Sequence, residues 1–417
     1  MLELVKLWED EMKKKLILLT DAFPFSTGET FLENEIPYLI ENFDLRIITS
    51  DITSVQTRDV DAQVYRIAPK SGYSFFEKIK YTLKFLFSVD GLQEIVEILS
   101  AKKCIRQRLL SSLYFYIQSQ DFYKQFSKVG VTDASENPII YAYWANYKLL
   151  SFTHSLKWKT IVTRMHGYDL YNERYITGRQ PFKNQMDKSI SKAVFVSEAG
   201  LIYYKENYKT KGDKYVVCRL GTKKPKRILN EKEKKTVFTL CSCSNVIPIK
   251  HVELIADALT QIQDIQIKWV HFGDGICFNE LKRRVEKFSS NIECELKGRV
   301  SNRDVLAYYS ENVVDCFITV SETEGGCPVS IMEALSYGVP VIATAVGGIP
   351  EMLQNTGNIL LPKYPSVEQI VLQIRNLYAK DSIFMEKIRR ENIYRWNEWF
   401  NEEVNNVKFI SILKELE

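Results

Sequence analysis

Short apolar runs alternate with longer segments of helical pattern along most of this chain of 417 residues. Each run is long enough for one buried strand, and a polar or Gly-containing turn separates it from the next segment. Strand, turn and helix in this repeated order predict parallel sheets whose strands are joined by helices. The predicted strands are Lys15–Asp21, Leu45–Thr49, Pro138–Tyr143, Trp158–Arg164, Ala193–Ser197, Val216–Leu220, Val237–Ser242, Lys268–Phe272, Cys294–Leu296, Val313–Val320 and Val339–Thr344. Among the helices, Asn302 is predicted to cap one that ends near Tyr309, and terminal helices are predicted over Ser366–Tyr394 and Trp396–Leu413.

A charged segment interrupts this pattern near the middle of the chain. Residues Thr222–Lys235 are nearly free of apolar side chains and include Pro225, which is typical of a linker between domains. A chain of this length also exceeds what one hydrophobic core usually serves. We therefore predict an N-terminal domain over residues 1–221, a linker over 222–235 and a C-terminal domain over 236–394.

Composition narrows the class of protein. The chain is 45% hydrophobic and 26% charged, which is typical of a globular protein. Its net charge of +4 is modest, so we expect no nucleic acid as a partner. The eight cysteines are scattered, and the pair Cys241 and Cys243 lacks the spacing of a zinc site. Reduced, buried thiols in a cytosolic protein are the prediction.

The N-terminus and the apolar runs bear on localisation. The first fifteen residues contain acids and no uninterrupted apolar run, which argues against a secretory signal. Each apolar run falls short of the ~20 residues that a membrane helix needs. We predict a cytoplasmic protein, with binding to the inner face of the membrane as a second possibility.

The stretch Val313–Leu353 contains strand, turn and helix twice over and carries the most specific chemistry. Its first strand ends in the polar turn Ser321–Cys327, and Pro328 then introduces the helix Val329–Tyr337, which ends at Gly338. Backbone amides at such a helix start favour a phosphate. Gly325 and Gly326 would let a ligand approach the backbone closely.

Two carboxylates flank this predicted anion site. Glu324 lies in the turn, and Glu333 lies about one and a half turns into the helix. Acceptor-only groups on both sides of an anion pocket suit a molecule with hydroxyls on both sides of a diphosphate. A nucleotide sugar fits this description, whereas an ordinary helix start with two solvated glutamates is the simpler alternative.

Three further positions are candidates for ligand contact. Lys250 lies just before a helix that begins at Val252, where its charge would attract a diphosphate. His166 follows a predicted strand end next to a glycine, and Gly28 lies in the loop after the first strand. Each has a bland alternative: a surface lysine, a structural histidine and an ordinary turn. The sequence Gly273-Asp274-Gly275 does not complete a dinucleotide fingerprint, and Asp59-Val60-Asp61 is interpreted as a solvated loop.

Several motifs resemble retaining glycosyltransferases of family 4. The stretch around Glu324 and Glu333 resembles the paired-glutamate region of that family, although eight residues separate the two glutamates here and seven are usual. His166-Gly167-Tyr168-Asp169 resembles its His-Gly-x-Asp. Asn245 stands where the family commonly has an Arg five residues before the Lys. The segments GETFLENEIPYL, HFGDG and LKGRVSNRDVLAYY are similar to the corresponding parts of the family.

The resemblance implies a fold of class α/β, the GT-B arrangement. Two doubly wound Rossmann-like domains would face each other across a cleft. A C-terminal helix, residues 395–417, would cross back to the first domain. The implied activity is metal-independent transfer of a sugar from a nucleotide diphosphate sugar, as co-substrate, to a hydroxyl of a glycan or lipid-linked glycan. Surface polysaccharide assembly is the implied setting.

The resemblance also implies roles for residues. Glu324, His166 and Lys250 would act at the reacting sugar and diphosphate, and Glu333 would bind the ribose. The resemblance also implies a front-face route, in which the leaving phosphate takes the acceptor proton. No carboxylate pair at glycosidase spacing is evident in the sequence, so a double displacement is not assigned. The further donor-binding candidates are Gly28, Asn245, His251, Arg299, Gly325, Gly326, Cys327, Pro328 and Val329, with Lys297 as another substitute for the missing Arg.

Two alternatives follow from the departures and from the basic helical region. Asn245 and the longer glutamate loop leave open a non-catalytic protein of this fold that docks on another glycosyltransferase or on the membrane. Residues 73–126 are helical in pattern, with many aromatic and basic side chains that suit an anionic membrane surface. Because Asp90, Glu94 and Glu97 interrupt the basic charge, packed helices with solvated lysines are the favoured interpretation.

Overall fold

The computed structural model describes residues 13–416, apart from residues 27, 156, 209, 211 and 230–236. The predicted absence of a signal sequence concerns residues that lie mostly outside this part, as does the second half of the predicted linker. The chain divides into two compact units. The first extends to Cys218 and resumes at Asn406, and the second comprises Arg219–Asn405.

The first unit is built on a sheet that has seven parallel strands within the described residues. Their spatial order is β3-β2-β1-β4-β5-β6-β7. The strands are β1 Lys15–Thr20, β2 Asp44–Thr49, β3 Gln63–Arg66, β4 Ile139–Ala142, β5 Thr160–Met165, β6 Lys192–Phe195 and β7 Tyr215–Val217. Its helices are α1 Leu32–Asn42, α2 Phe75–Phe87, α3 Val89–Ala101, α4 Ile105–Val129, α5 Tyr147–Thr153, α6 Lys183–Ser189 and α7 Glu198–Asn207.

The second unit repeats this plan with six parallel strands in the described residues. Their order is β10-β9-β8-β11-β12-β13. The strands are β8 Phe238–Cys243, β9 Ile267–Phe272, β10 Ile292–Gly298, β11 Cys316–Thr319, β12 Val341–Thr344 and β13 Ile359–Leu361. The helices are α8 Val252–Thr260, α9 Phe278–Val285, α10 Asn302–Glu311, α11 Val329–Ser336, α12 Ile349–Leu353, α13 Val367–Tyr378 and α14 Ser382–Trp399. The last helix, α15 Glu402–Lys414, begins in the second unit and continues into the first.

Both sheets are covered on both faces. In β1, Ile17 and Leu19 belong to one core cluster, while Leu16 and Leu18 belong to the cluster on the opposite face. Successive strand residues point to opposite faces, so a strand buried on both sides is apolar throughout. This explains why the apolar runs predicted these strands. In each unit the strand order reverses beside the first strand, between β1 and β4 and between β8 and β11.

The C-terminal helices differ in their boundaries from the prediction. We expected helices over Ser366–Tyr394 and Trp396–Leu413, but the structure has α13, α14 and α15. Asp381 begins α14 by accepting a hydrogen bond from the Phe384 amide at 2.7 Å. Helix α14 ends where Phe400 O accepts from the Thr222 amide at 2.9 Å. Thr222, the first residue of the predicted linker, is buried there, and Trp396 Nε1 donates to its hydroxyl.

The last helix returns to the first unit, as predicted. From Asn406 onward its residues belong to that unit, and Phe409 is fully buried against Tyr141. The guanidinium of Arg164 lies 4.0 Å from the centre of the Phe409 ring and pairs with Glu35. A buried cation is thus shared between an ion pair and an aromatic face, which holds the helix against the sheet.

Candidate active site

The carboxyl ends of β8 and β11 lie side by side and carry the main candidate residues of the second unit. Lys250 ends a short 3-10 helix, Pro248–Lys250, that follows β8. Glu324 lies in the loop after β11, and the Lys250 ammonium pairs with its carboxylate. Both side chains are largely buried, at 21% and 14% exposed. The two groups that the sequence placed 74 residues apart are therefore in direct contact.

Close backbone contacts hold the Glu324 loop in place. The Glu322 amide donates to Ile249 O at 2.9 Å, and the Gly348 amide donates to Gly326 O at 2.9 Å. A Cβ on Gly347 would lie 2.4 Å from Glu324 O, and Gly347 also has a positive φ of 55°. Only glycine permits this approach without distortion. The loop is therefore clamped between the β8 and β12 connections.

The amides of Gly325, Gly326 and Cys327 precede helix α11. Within the part of the chain that the structure describes, none of these three N–H groups donates to a protein acceptor. Pro328 is the residue before the helix and has no N–H, and Val329 is its first residue. Free amides at a helix start attract an anion. The Cys327 thiol points the other way, since it is buried and donates to Glu351 Oε1 at 3.5 Å.

Glu333 is buried on α11 and has one hydrogen-bond donor among the described residues. The Asn302 side chain donates to its Oε1 at 2.6 Å. Burial raises the pKa of Glu333 to about 7, and the Asn302 hydrogen bond opposes this shift only in part. A carboxylate held at a poorly solvated position, with acceptor capacity to spare, suits a ligand hydroxyl.

Asn302 was assigned a different role from the sequence, and that assignment is wrong. We predicted it as the cap of the next helix, but Ser301 caps α10 and forms a capping box with Asp304. Asn302 is the first helical residue, so its side-chain amide does not cap the helix and can donate to Glu333. The sequence Ser301-Asn302-Arg303-Asp304 fits a capping box better with Ser301 first, and this was the available signal.

The position of the missing Arg, Asn245, and the three groups predicted to substitute for it differ in their surroundings. Asn245 is exposed, and Arg299 is exposed without an ion pair in the described part of the chain. His251 lies between two acids, with Nδ1 3.1 Å from Glu253 Oε1 and Nε2 3.6 Å from Glu322 Oε2. Lys297 pairs with Glu295 at 2.5 Å. Arg299 is therefore the better placed of these groups to meet an added anion.

The Gly273-Asp274-Gly275 turn packs against the loop after β8. A Cβ on Gly273 would lie 1.8 Å from Ser244 O, and one on Gly275 would lie 2.3 Å from Val246 O. The Val246 amide donates to Asp274 O at 3.0 Å. The two glycines are therefore needed because the loops pack closely. This packing explains the Gly-Asp-Gly sequence, so no dinucleotide site is needed to explain it.

His166 of the first unit follows β5, as predicted, and its ring is buried among aromatic side chains. The ring centres of Tyr143 and Trp144 lie 4.8 and 4.5 Å away. Neither ring nitrogen has a hydrogen-bond partner in the described residues, but Nδ1 lies 3.9 Å from Asp169 Oδ2, within ion-pair distance. Asp169 supports the turn by accepting from the amides of His166 and Ala145 at 2.7 and 2.8 Å. The turn is fixed, and Nε2 of the imidazole has no hydrogen-bond partner among the described residues, so it is available to a ligand.

Gly28 lies exposed in the loop after β1, beside a residue whose role the sequence did not indicate. The carboxylate of Glu29 accepts from the amides of Asp21, Ala22 and Phe23 at 2.8, 2.7 and 2.6 Å. It also accepts from Trp144 Nε1 at 2.6 Å. Glu29 thus closes the loop by saturating its own oxygens. The Asp59-Val60-Asp61 acids are exposed, as expected of a solvated loop.

Residues 223–395 match the family model "Glycosyl transferases group 1". A curated relative, the "Putative colanic acid biosynthesis glycosyltransferase WcaL" of Escherichia coli (strain K12), is 23% identical over 270 residues. That match covers 61% of this chain and 64% of the relative. The chain spans less than two thirds of the length of the curated relatives it matches.

Solved structures match the chain over nearly its whole length. A glycosyltransferase from Rickettsia africae ESF-5 has a TM-score of 0.65, 18% identity and coverage of 97% of this chain and 98% of that chain. Alr3699/HepE of Anabaena, solved in complex with UDP-glucose, has a TM-score of 0.63, 15% identity and coverage of 96% and 99%. The predicted fold of two Rossmann-like α/β domains, as in GT-B proteins, is confirmed.

Proposed function

We propose that this protein, whose residues 223–395 match the family model of group 1 glycosyltransferases, transfers a sugar from a nucleotide diphosphate sugar to a hydroxyl acceptor, with retained anomeric configuration. The observation that carries the proposal is the contact between Lys250 and Glu324 beside the free amides of Gly325–Cys327. Cation, carboxylate and amides meet where the strand order reverses, which is where open α/β sheets bind ligands.

A bound diphosphate would change the partners of these groups. The phosphate oxygens would be bound by Lys250 and by the amides of Gly325, Gly326 and Cys327. These contacts would replace the ion pair between Lys250 and Glu324. Glu324 would then be free to accept hydrogen bonds from sugar hydroxyls, and Glu333 from the ribose. Without donor, the ion pair keeps two largely buried charges from being unpaired.

The proposed chemistry needs no proton acceptor from the protein. The bond between the anomeric carbon and the diphosphate oxygen breaks, and the acceptor oxygen bonds to the same face of that carbon. The acceptor proton passes to the departing phosphate oxygen. As negative charge grows on that oxygen, fixed donors such as Lys250 stabilise it without reorganisation. His166, whose Nε2 has no hydrogen-bond partner among the described residues, is proposed as a further contact to the donor sugar.

The donor and acceptor are proposed by class. UDP-sugars are the first donors to test, because the Anabaena structure similar to this one contains UDP-glucose. A glycan or lipid-linked glycan of surface polysaccharide assembly is the proposed acceptor, consistent with the name of the Escherichia coli relative. We propose no metal cofactor for the reaction.

A donor panel tests the proposal. Purified protein is incubated with nucleotide diphosphate sugars, and release of nucleoside diphosphate and the melting temperature are both followed. At least one donor should raise the melting temperature and be turned over, and its product should keep the anomeric configuration by NMR. A donor that binds without turnover, with or without acceptor glycans, would instead support the non-catalytic alternative. Inversion of the anomeric centre would contradict the proposed route.

A further inference from the structure

Two consecutive helices of the first unit expose apolar side chains along their outer faces. In α2, Phe76 and Phe87 are 82% and 80% exposed, and in α3, Val96 is 61% exposed. Single exposed apolar residues are common, but a continuous group of this size is unusual for a protein surface. The outer surface comprises Phe75, Phe76, Ile79, Leu83, Leu86 and Phe87 of α2 and Val89, Leu92, Val96 and Leu99 of α3.

The exposed side chains form stripes because of their helical spacing. In α2, Tyr81 and Phe85 are buried, and Ile79 and Leu83 lie on the opposite side of the helix. In α3 the buried Glu94 and Ile98 have Leu92 and Val96 opposite them. Each helix therefore has one face packed inside the first unit and an opposite, apolar face that is exposed.

The acidic residues of these helices point away from the outer surface. Asp90 contacts His154 at 2.5 Å, and Glu94 and Glu97 contact Arg179 at 2.9 and 2.5 Å. Glu77 pairs with Lys70 at 2.6 Å. The sequence-based preference for solvated lysines rested on acids interrupting the charge, and the structure removes that reason.

Basic residues border the outer surface. Lys78, Lys80 and Lys84 of α2 are exposed, and none of them forms an ion pair with a described residue. The same holds for the basic group at the α3–α4 junction, which consists of Lys102, Lys103 and Arg106. Positive charge around an apolar stripe complements a surface of anionic headgroups over acyl chains.

The junction of α2 and α3 is rigidly packed. Ser88 ends α2 and caps α3, where its hydroxyl accepts from the Gly91 amide at 3.0 Å. A Cβ on Gly91 would lie 1.8 Å from Phe85 O, so the two helices approach as closely as the backbone allows. Both apolar stripes are therefore held in one arrangement before any partner binds.

We propose that the outer surface of α2 and α3 binds the face of an anionic lipid bilayer. The phenylalanines and leucines would enter the boundary between headgroups and acyl chains, and the lysines would meet the anionic headgroups. No helix among the described residues is long and apolar enough to cross a membrane. This inference goes beyond the proposed function and does not depend on it, because vesicle binding needs neither donor nor turnover.

Vesicle flotation of the full chain tests this proposal with matched variants. The vesicles contain phosphatidylcholine alone or with about 30 mol% phosphatidylglycerol. One variant replaces three exposed apolar side chains of the surface, and its control replaces three of similar exposure on α13, α14 and α15. The two are Phe76→Gln/Leu83→Gln/Val96→Gln and Leu372→Gln/Ile383→Gln/Val404→Gln. A second pair compares Lys80→Gln/Lys84→Gln with the equally spaced and exposed Lys124→Gln/Lys128→Gln.

The wild type should float with the anionic vesicles and at least fivefold less with neutral ones. The apolar variant should lose at least tenfold of its binding and the lysine variant at least fivefold, while both controls stay within twofold. Raising the salt concentration to about 0.5 M should lower vesicle binding by the wild type to near that of the lysine variant. Absence of flotation, or equal loss in the controls, would overturn the proposal. The proposal would also be overturned if the wild type were a dimer without vesicles and the apolar variant were a monomer. The surface would then bind a second copy of the chain.

Discussion

Each unit places glutamate carboxylates near the point where its strand order reverses, and the surroundings of these carboxylates differ between the units. Glu29 follows β1 beside the β1–β4 reversal, and four protein N–H groups donate to it. Glu324 and Glu333 lie beyond the β8–β11 reversal. Among the residues that the structure describes, Glu324 has one ammonium partner, and the buried Glu333 has one amide donor.

This difference separates a carboxylate that holds the protein together from one that is kept for a ligand. A saturated carboxylate stabilises its loop and has little left to offer. An undersaturated buried carboxylate costs stability, which a fold tolerates where a ligand supplies the missing donors. The comparison predicts that mutations at the β1–β4 edge mainly change stability, whereas those at the β8–β11 edge mainly change activity.

The largest expected effect is on the stability of the first unit. Glu29→Ala should lower the free energy of unfolding by about 4 kcal/mol, because several loop amides and the Trp144 indole lose a charged acceptor. Urea unfolding followed by tryptophan fluorescence measures this. Glu33→Ala is the control, since the Glu33 carboxylate is 46% exposed and its pair with Arg58 should contribute at most about 0.5 kcal/mol. Equal losses in both variants would remove the distinction drawn above.

Next in size is the loss of the cation at the second edge. Lys250→Ala should lower kcat/KM for sugar transfer by about 100-fold, because one fixed donor to the departing charge is removed. That corresponds to about 2.7 kcal/mol of transition-state stabilisation. Lys268→Ala removes a similarly buried lysine that pairs with Glu293 and Glu295 instead, and it should retain near wild-type turnover. Wild-type activity in Lys250→Ala would remove Lys250 from the proposed site.

Glu333→Gln should raise stability while it lowers donor binding. The pKa of Glu333 is raised by burial to about 7, so the folded state holds a proton that the unfolded state has lost between about pH 4.5 and 7. Wild-type stability therefore falls as pH rises through this window. The pKa shift limits the gain in the free energy of unfolding to about 3 kcal/mol. We expect Glu333→Gln to gain about half of this free energy at pH 8.

Unfolding of Glu333→Gln and wild type at pH 4 and pH 8 checks this sign. The gain should be absent at pH 4 and full at pH 8, and the exposed control Glu311→Gln should show no such trend. Donor affinity should fall in Glu333→Gln, because the amide can no longer accept on both sides. A variant destabilised at pH 8 would mean that Glu333 is a structural carboxylate like Glu29.

Most of the fold could be predicted because its strands are buried on both faces. Runs such as Leu16–Leu19 are continuous in sequence, since neither face can tolerate polar side chains. The two strands that were missed, β3 and β13, lie at sheet edges and are partly exposed. Strand β3 carries polar side chains, and the apolar run of β13 is only three residues long. The break between α14 and α15 was predicted too early, after Tyr394 and not after Trp399, because it depends on Thr222, which is distant in sequence.

The candidate site could be predicted only in part. The order of strands and loops was enough to bring Lys250 and Glu324 to one edge. The direction of side chains was not readable, so the four contacts of Glu29 and the inward turn of Asp90, Glu94 and Glu97 were missed. Such preferences depend on donors supplied by other elements, and the periodicity of one helix does not specify them.

The smallest effect is expected at Asn302, the residue that sequence reasoning took for a cap. Its hydrogen bond to Glu333 opposes the effect of burial, so Asn302→Ala should raise the pKa of Glu333 further above about 7. One such bond is worth about 1 kcal/mol, or roughly a fivefold loss of donor affinity near neutral pH. Because the ribose needs a charged acceptor, the loss should shrink as pH rises, and Asn302→Gln should restore part of the affinity. Donor KM measured from pH 6 to 9 tests this directly: a loss that does not change with pH would show that Asn302 supports the fold of α10 and does not tune Glu333.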